Sequence, residues 1–303
     1  MTTQRKLIVT GANGFVAGSV IAQAGEQWQL HAMSRGESLT QHGQLHWHTC
    51  DTQSPEQLTR LLHEVKPDAV IHTAALADID FCQAHPELAR AANVDLTRTL
   101  VDLCGDAGAK LVFCSTDTVF DGERAPYNED ARPGPINFYA ETKVEGEQIV
   151  TSLGAQAVIA RLSLVVGLPV LGAGNSFLAR MIANLKDGHP VAATEREVRT
   201  PVDVITVGRA LLELAAGNHA GIFHLAGHDR LNRLEIAQKI AVRFGFPQQL
   251  IVAQAVATSP GRAARPRDVA LNNAKACAQL KTPMRTIDEG LSLILKMSET
   301  PAS

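Results

Sequence analysis

Apolar residues come in short, unbroken runs through the first half of the chain. KLIVT (6–10), QLHAM (29–33), LHWHTC (45–50), DAVIHTA (68–74), KLVFCS (110–115) and AVIARLSLV (157–165) each have the length and β-branched content of a strand. Between them, SPEQLTRLLHEV (54–65), HPELARAANVDLTRTLVDLCGDAG (85–108) and FYAETKVEGEQIVTS (138–152) carry helical spacing, and another helix is predicted from the first glycine-rich turn to about Ala24. Ser54 before Pro55 is an N-cap followed by proline at the first helical position. Strands apolar on both faces, separated by helices, predict a doubly wound, Rossmann-like parallel sheet covered on both sides, an α/β fold. Beyond about residue 166 this rhythm weakens. LPVLGAGNSFLARMIANLKDG and the stretch from about 225 predict the helices and short strands of a smaller cap, while VDVITVGRALLELAAG (202–217) predicts a helix returning to the main domain.

The first strand runs into TGANGFVAGSV, where Gly11 and Gly14 would let backbone approach a pyrophosphate at a helix N-terminus. The spacing is GxxGxxA, with Ala17 in the third place. The second strand ends in MSRGES, with no acidic residue to hold an adenosine ribose 2′-hydroxyl. Ser34 and Arg35 offer a hydroxyl and a guanidinium to a 2′-phosphate instead, which favours NADPH, with NAD the alternative. A solvated loop charge is the plainer reading of Arg35.

Tyr139 and Lys143 in FYAETK are spaced i and i+4 on a predicted helix, so they share a face. An ammonium beside a phenol would bring its pKa down from about 10 toward neutrality. The strand KLVFCS ends in Ser115, Thr116, Asp117 and Thr118, a density of hydroxyls that a plain loop does not need. Ligands of such sheets bind outside the carboxyl ends of the strands, so Thr116 is placed to hydrogen-bond a substrate carbonyl. Residues 1–165 are then the dinucleotide-binding domain, with a returning segment of about 198–224, and 166–197 with 225–300 the substrate-binding domain.

Composition narrows the reading. With 45% hydrophobic and 19% charged residues and a net charge of −3, the 303-residue chain has no basic footprint for nucleic acid. No apolar run approaches the roughly 20 residues of a membrane span. The first apolar run starts at residue 6, which leaves no room for a signal peptide and predicts a cytoplasmic protein. Five scattered cysteines without a CxxC pair read as reduced thiols. In QHGQLHWH, with His42, His46 and His48, the last two would share one strand face; no nearby cysteine or carboxylate pair completes a metal site, and no metal is expected.

Taken together, GANGFVAG, HTAALADIDFCQAHPELARAANV, STDTVFDG and YAETKVEGE resemble the extended short-chain dehydrogenase/reductase family, most of all its dTDP-4-dehydrorhamnose reductases and related sugar-nucleotide-binding proteins. The resemblance implies that Thr116 orients the substrate carbonyl, Tyr139 is the general acid, and Lys143 binds the nicotinamide ribose and tunes the tyrosine. It implies that Gly11, Asn13, Gly14, Phe15 and Val16 line the pyrophosphate and that Asp51 and Thr52 border the adenine. Ala74, Ala75 and Leu76 would lie along the cofactor, Asn93 near the active-site helix, and Asp117 would close the turn to Phe120. In the C-terminal GRAARPRDVALNNAKA, Arg262, Arg265 and Arg267 are candidates for a substrate diphosphate, as is Arg199, with a solvated basic loop the plainer alternative. The expected activity is NADPH-dependent reduction of a 4-keto sugar nucleotide or similar carbonyl compound, and a homodimer is left open. The alternatives are a nucleotide-sugar epimerase or dehydratase, and a regulatory subunit resembling the β subunit of methionine adenosyltransferase.

Overall fold

The computed structural model describes residues 4–38, 45–171, 176–254 and 262–299. Its first part alternates as the apolar runs require: β1 (Arg5–Thr10), α1 (Phe15–Gln23), β2 (Trp28–Ser34), β3 (Leu45–Thr49), α2 (Pro55–Val65) and β4 (Ala69–His72). Next come α3 (Ile79–Ala84), α4 (Pro86–Arg90), a π-helical turn (Ala91–Asp95), α5 (Leu96–Ala107), β5 (Lys110–Thr116), α6 (Phe138–Thr151) and β6 (Ala157–Leu162). Ser54 caps α2, its hydroxyl accepting from the Gln57 N–H.

The second part carries β7 (Val165–Val166), α7 (Phe177–Lys186), β8 (Val191–Ala193), β9 (Val198–Arg199), β10 (Val202–Asp203) and α8 (Val204–Ala216). It continues with β11 (Gly221–Leu225), β12 (Leu231–Asn232), α9 (Arg233–Arg243), β13 (Ile251–Ala253), α10 (Ala274–Gln279) and α11 (Ile287–Glu299).

Seven of these strands form one parallel sheet in the order β11-β6-β5-β4-β1-β2-β3. The direction of winding reverses between β1 and β4, the switch point at which such sheets open a crevice for ligands. Each face has its own core. Leu7, Val9, Val20 and Leu211 pack where α1 and α8 cover the sheet, and Ile8, Leu58, Leu100 and Val150 pack on the other side under α2, α5 and α6. A third core, around Met181, Ile236, Ile240 and Leu291, joins α7, α9 and α11. Helix α8 lies close along α1: a Cβ on Gly208 would come within 2.7 Å of Ser19 Oγ, and that hydroxyl donates to the Val204 carbonyl at 2.7 Å.

Three expectations needed correction. The helix expected over 85–108 is present without interruption from Pro86 to Ala107 but contains a π turn between α4 and α5, and the short α3 precedes it unannounced. The strand expected over 157–165 ends at Leu162, because the chain turns away so that Val165 and Val166 pair with β10. Strand β11, whose run GIFHL is short and includes the buried His224, was not among the strand candidates, yet it completes the sheet beside β6.

His46 and His48 do share a face of β3, both stacked against His31 with ring centroids 4.8 and 5.2 Å away; His42 lies outside the described residues. Burial and these neighbours push His31 down to about 4, while burial pushes His72 and His224 to about 3. A histidine held neutral in the fold but titrating near 6.5 when unfolded contributes stability at neutral pH. That contribution is lost as pH falls below 6.5, because the unfolded chain then binds the extra protons. The melting temperature should therefore drop steadily between pH 6.5 and 4, and less steeply in His31→Gln. A flat profile over that range would refute the assignment.

Candidate active site

At the switch point, Gly11 has φ +68°, and a Cβ there would stand 2.8 Å from Ala74 Cα. Only glycine fits both the left-handed backbone and this close approach between the ends of β1 and β4. Gly14 is the N-cap of α1, leaving the helix N-terminus open toward the crevice. The Asn13 amide spans the turn, donating to Ser34 Oγ at 3.3 Å and to the Glu37 carbonyl at 3.0 Å, which ties the glycine turn to the end of β2.

A cavity of about 420 Å³ opens here, lined by Gly11, Asn13, Gly14, Ser34, Arg35, Thr52, Ala74, Ala75 and Leu76 among the expected residues. Gln53, Phe81, Leu88, Ala92 and Leu96 complete its wall and were not anticipated. Phe15, Val16, Asp51, Asn93, Tyr139 and Lys143, all expected at the cofactor, do not line it, and neither does Thr116. Val16 packs on the core, Phe15 lies against Gly167, and Asp51 Oδ1 accepts the Gln53 N–H at 3.0 Å to hold the loop. Asn93 sits in the π turn, where its side chain accepts from Leu76 N (2.7 Å) and donates to Leu76 O and Thr142 Oγ1 (3.0 Å each). It thereby fixes the loop after β4 to the helix that carries Tyr139 and Lys143.

That helix, α6, begins at the Asn137 cap, whose Oδ1 accepts from Ala140 N at 2.9 Å. It lies so close over β5 that a Cβ on Gly146 would come 2.8 Å from Phe113 Cζ. Lys143 is buried with Nζ 4.0 Å above the Phe113 ring, and desolvation lowers it to about 8, opposed by Cys114 and Glu147. It therefore stays largely cationic at neutral pH.

Tyr139 departs from expectation. Burial is the largest influence and pushes the phenol up from 10, with Asp117, Cys82 and Cys114 adding to the rise and a Thr116 hydrogen bond opposing it. Lys143 does not bring the phenol down to neutrality; the tyrosine is held protonated, the form a proton donor needs. Thr116 closes β5 with its hydroxyl 3.3 Å from Asp117 Oδ1 and 3.0 Å from Thr118 Oγ1. The turn to Phe120 is closed by the Asp117 carbonyl, which accepts from Phe120 N; its carboxylate turns inward.

The arginines are differently employed from one another. Arg265 forks onto Asp80 at 2.5 and 2.7 Å, which holds that carboxyl down at about 2. Arg199 is buried 3.5 Å from Asp117. Arg267 is exposed, and its carbonyl accepts from Val198 N at 2.7 Å. The guanidiniums of Arg265 and Arg199 are thus committed to carboxylates of the protein's own.

The family described as RmlD substrate binding domain matches residues 5–300. The chain belongs to that family. A Haloferax volcanii relative, named Probable low-salt glycan biosynthesis reductase Agl14, is 31% identical over 293 residues, covering 94% of this chain and 96% of the relative. Methionine adenosyltransferase 2 subunit beta from Bos taurus is 28% identical over 285 residues, covering 92% and 82%. Among solved structures, dTDP-4-dehydrorhamnose reductase from Bacillus anthracis in complex with NADP shares the fold at a TM-score of 0.87 and 24% identity, covering 97% of this chain and 100% of that one. A hypothetical dTDP-4-dehydrorhamnose reductase from Sulfolobus tokodaii gives 0.82 at 28% identity, covering 95% and 99%.

Within this RmlD-family chain, Glu147 and Arg161 are the residues that sequence reasoning missed. Glu147 extends the i, i+4 spacing of Tyr139 and Lys143 by one more turn of α6. Its Oε1 accepts from Ser115 Oγ at 2.6 Å, and Arg161 binds both carboxylate oxygens at 2.9 and 2.7 Å. Arg161 is 1% exposed and lies over the Phe120 ring. This buried pair ties β5, α6 and β6 together beneath the candidate catalytic groups. The YAETKVEGE spacing was the available signal for Glu147; an arginine inside an apolar strand was the signal for Arg161.

Proposed function

We propose that the chain is an NADPH-dependent reductase of a 4-keto sugar nucleotide or a similar carbonyl compound. The observation that carries this reading is the placing of Tyr139 one helical turn from the buried Lys143 on α6, beside the Thr116 hydroxyl at the carboxyl end of β5. The bound cofactor would supply the hydride. Gly11 and Gly14 leave room for a pyrophosphate against the start of α1, and Arg35, exposed at the cavity, faces the adenosine end. Thr116 orients the substrate carbonyl, Tyr139 gives its phenolic proton to the carbonyl oxygen, and the Lys143 ammonium limits the cost of the phenolate left behind. Because Arg262, Arg265 and Arg199 are already paired with carboxylates, the exposed Arg267 is the candidate that remains for the substrate diphosphate. Membership of the family, and the NADP bound by the Bacillus anthracis reductase, support the cofactor class.

Dehydration is disfavoured because Thr118, not a glutamate, follows Asp117. The relationship to a methionine adenosyltransferase subunit supports one further reading, that of a cofactor-binding partner protein. Following NADPH absorbance with a panel of 4-keto nucleotide sugars separates the two. Reduction of at least one is expected; stable complex formation with a second enzyme and no turnover of any would favour the partner.

The choice of cofactor has its own test. Arg35→Ala is expected to raise the NADPH dissociation constant by about tenfold or more, the scale of a hydrogen bond to a charged group, and to leave NADH binding almost unchanged. Fluorescence titration of both cofactors checks it. Equal weakening of the two, or a wild-type preference for NADH, would remove Arg35 as a phosphate reader.

A further inference from the structure

Thr116 is followed by a carboxylate that solvent scarcely reaches: Asp117 is 4% exposed and is surrounded by groups from three separate segments. Its Oδ1 accepts from Thr116 Oγ1, and its Oδ2 accepts from Ser163 Oγ, both at 3.3 Å, while Oδ2 stands 3.5 Å from Arg199 Nε. Ser163, just past β6, accepts in turn from the backbone N–H and hydroxyl of Thr200. Arg199 in β9 donates through Nη1 to the carbonyls of Val198 at 2.8 Å and Pro266 at 3.5 Å. An unbroken set of contacts therefore runs from the 262–268 segment through β9 to the hydroxyl beside Tyr139. A buried ion pair with contacts this long contributes little to stability and is more readily explained by what it orients.

We propose that Asp117 and Arg199 are a positioning pair for the reaction: Arg199 fixes the Asp117 carboxylate, and the carboxylate fixes the Thr116 hydroxyl that aligns the substrate carbonyl. The proposal rests on the reductase reading for its kinetic consequences only. Without the carboxylate, the Thr116 hydroxyl is free to turn its proton to Thr118 Oγ1, a second acceptor at 3.0 Å. The pair also links the β9 segment to catalysis, since Arg199 can hold Asp117 only while β9 and Pro266 keep their places. The charge of Asp117 further holds the proton on Tyr139. The titratable groups facing Tyr139 are Asp117, Cys82 and Cys114, with Lys143 one turn along α6, and the charges facing Asp117 are Arg199 and Arg233.

Asp117→Asn keeps the shape and removes the charge. It is expected to lower kcat about tenfold or more with KM and NADPH affinity within about threefold, the signature of lost alignment and not of lost binding. The alkaline limb of the kcat profile should move to lower pH, because the phenolate no longer meets a neighbouring carboxylate. Should Asp117→Asn leave Arg199 too poorly paired to fold, the double variant Asp117→Asn/Arg199→Met, which has no stranded charge, is read in its place. It is expected to be as slow as the single variant, since two residues acting as one unit are not additive. An arm independent of turnover uses ultraviolet titration. The chain has two tyrosines, so subtracting Tyr139→Phe isolates Tyr139, whose ionisation should begin at lower pH in Asp117→Asn. Absence of wild-type turnover counts against the reductase reading, and the titration still tests the pair. An unchanged onset of Tyr139 ionisation, or wild-type kcat and pH profile in the folded variants, overturns it.

Discussion

Replacing Tyr139 by Phe is expected to cut carbonyl reduction by about 10²-fold or more, the usual scale for losing a general acid, while NADPH binds within a few-fold of wild type. The side chain contributes a proton and little else that a phenyl ring would not replace. It stays on the face of α6 set by the Asn137 cap. The glycine turn and the Arg35 edge of the cavity involve none of its atoms. Single-turnover kinetics with saturating NADPH, beside a cofactor titration, separate the two effects. Turnover retained in Tyr139→Phe would mean that another group supplies the proton.

A second large effect is expected on stability. Arg161→Met should destabilise the fold by about 3–5 kcal/mol, because it strands the Glu147 carboxylate without its bidentate partner in the interior. Both side chains are almost fully buried, so the loss is not one that solvent screening would erase. The Ser115 hydroxyl remains as one donor, too little to satisfy a charge. Adding Glu147→Leu should recover much of the loss, since a neutral pair of similar volume avoids the desolvation cost altogether. Urea unfolding of the single and double variants measures both values. A single variant within about 1 kcal/mol of wild type would show that the pair is better solvated than its burial implies.

The layout of the sheet was legible because its strands are apolar on both faces, a pattern that allows little except a covered parallel sheet. Runs such as KLIVT and KLVFCS could be placed almost to the residue. The glycine turn was legible for a similar reason: Gly11 must accept positive φ and leave space for Ala74, and no other residue does both. GIFHL was missed because five residues with a histidine give no period to read, and its place is fixed by pairing with β6. The π turn within the 85–108 helix has no marker in its helical spacing either, since it is Asn93 bonding to Leu76 and Thr142 that exploits it.

At the site, the spacing of Tyr139 and Lys143 placed them on one helix face but said nothing of desolvation, which pushes the phenol up where a neighbouring ammonium alone would bring it down. Guanidinium chemistry suggested that Arg199 and Arg265 meet phosphate. Which arginines are free depends on carboxylates distant in sequence, Asp117 and Asp80, and only the tertiary fold reveals those partners.

The most direct test of the account is transfer from NADPH carrying deuterium at the reactive position of its nicotinamide to a 4-keto nucleotide sugar. Mass spectrometry of the product should show one deuterium per molecule reduced, on the former carbonyl carbon, with one NADPH consumed for each. Product that lacks the label, or nucleotide sugar converted with no net loss of NADPH, would contradict reduction and point to the epimerase or dehydratase chemistry of related enzymes.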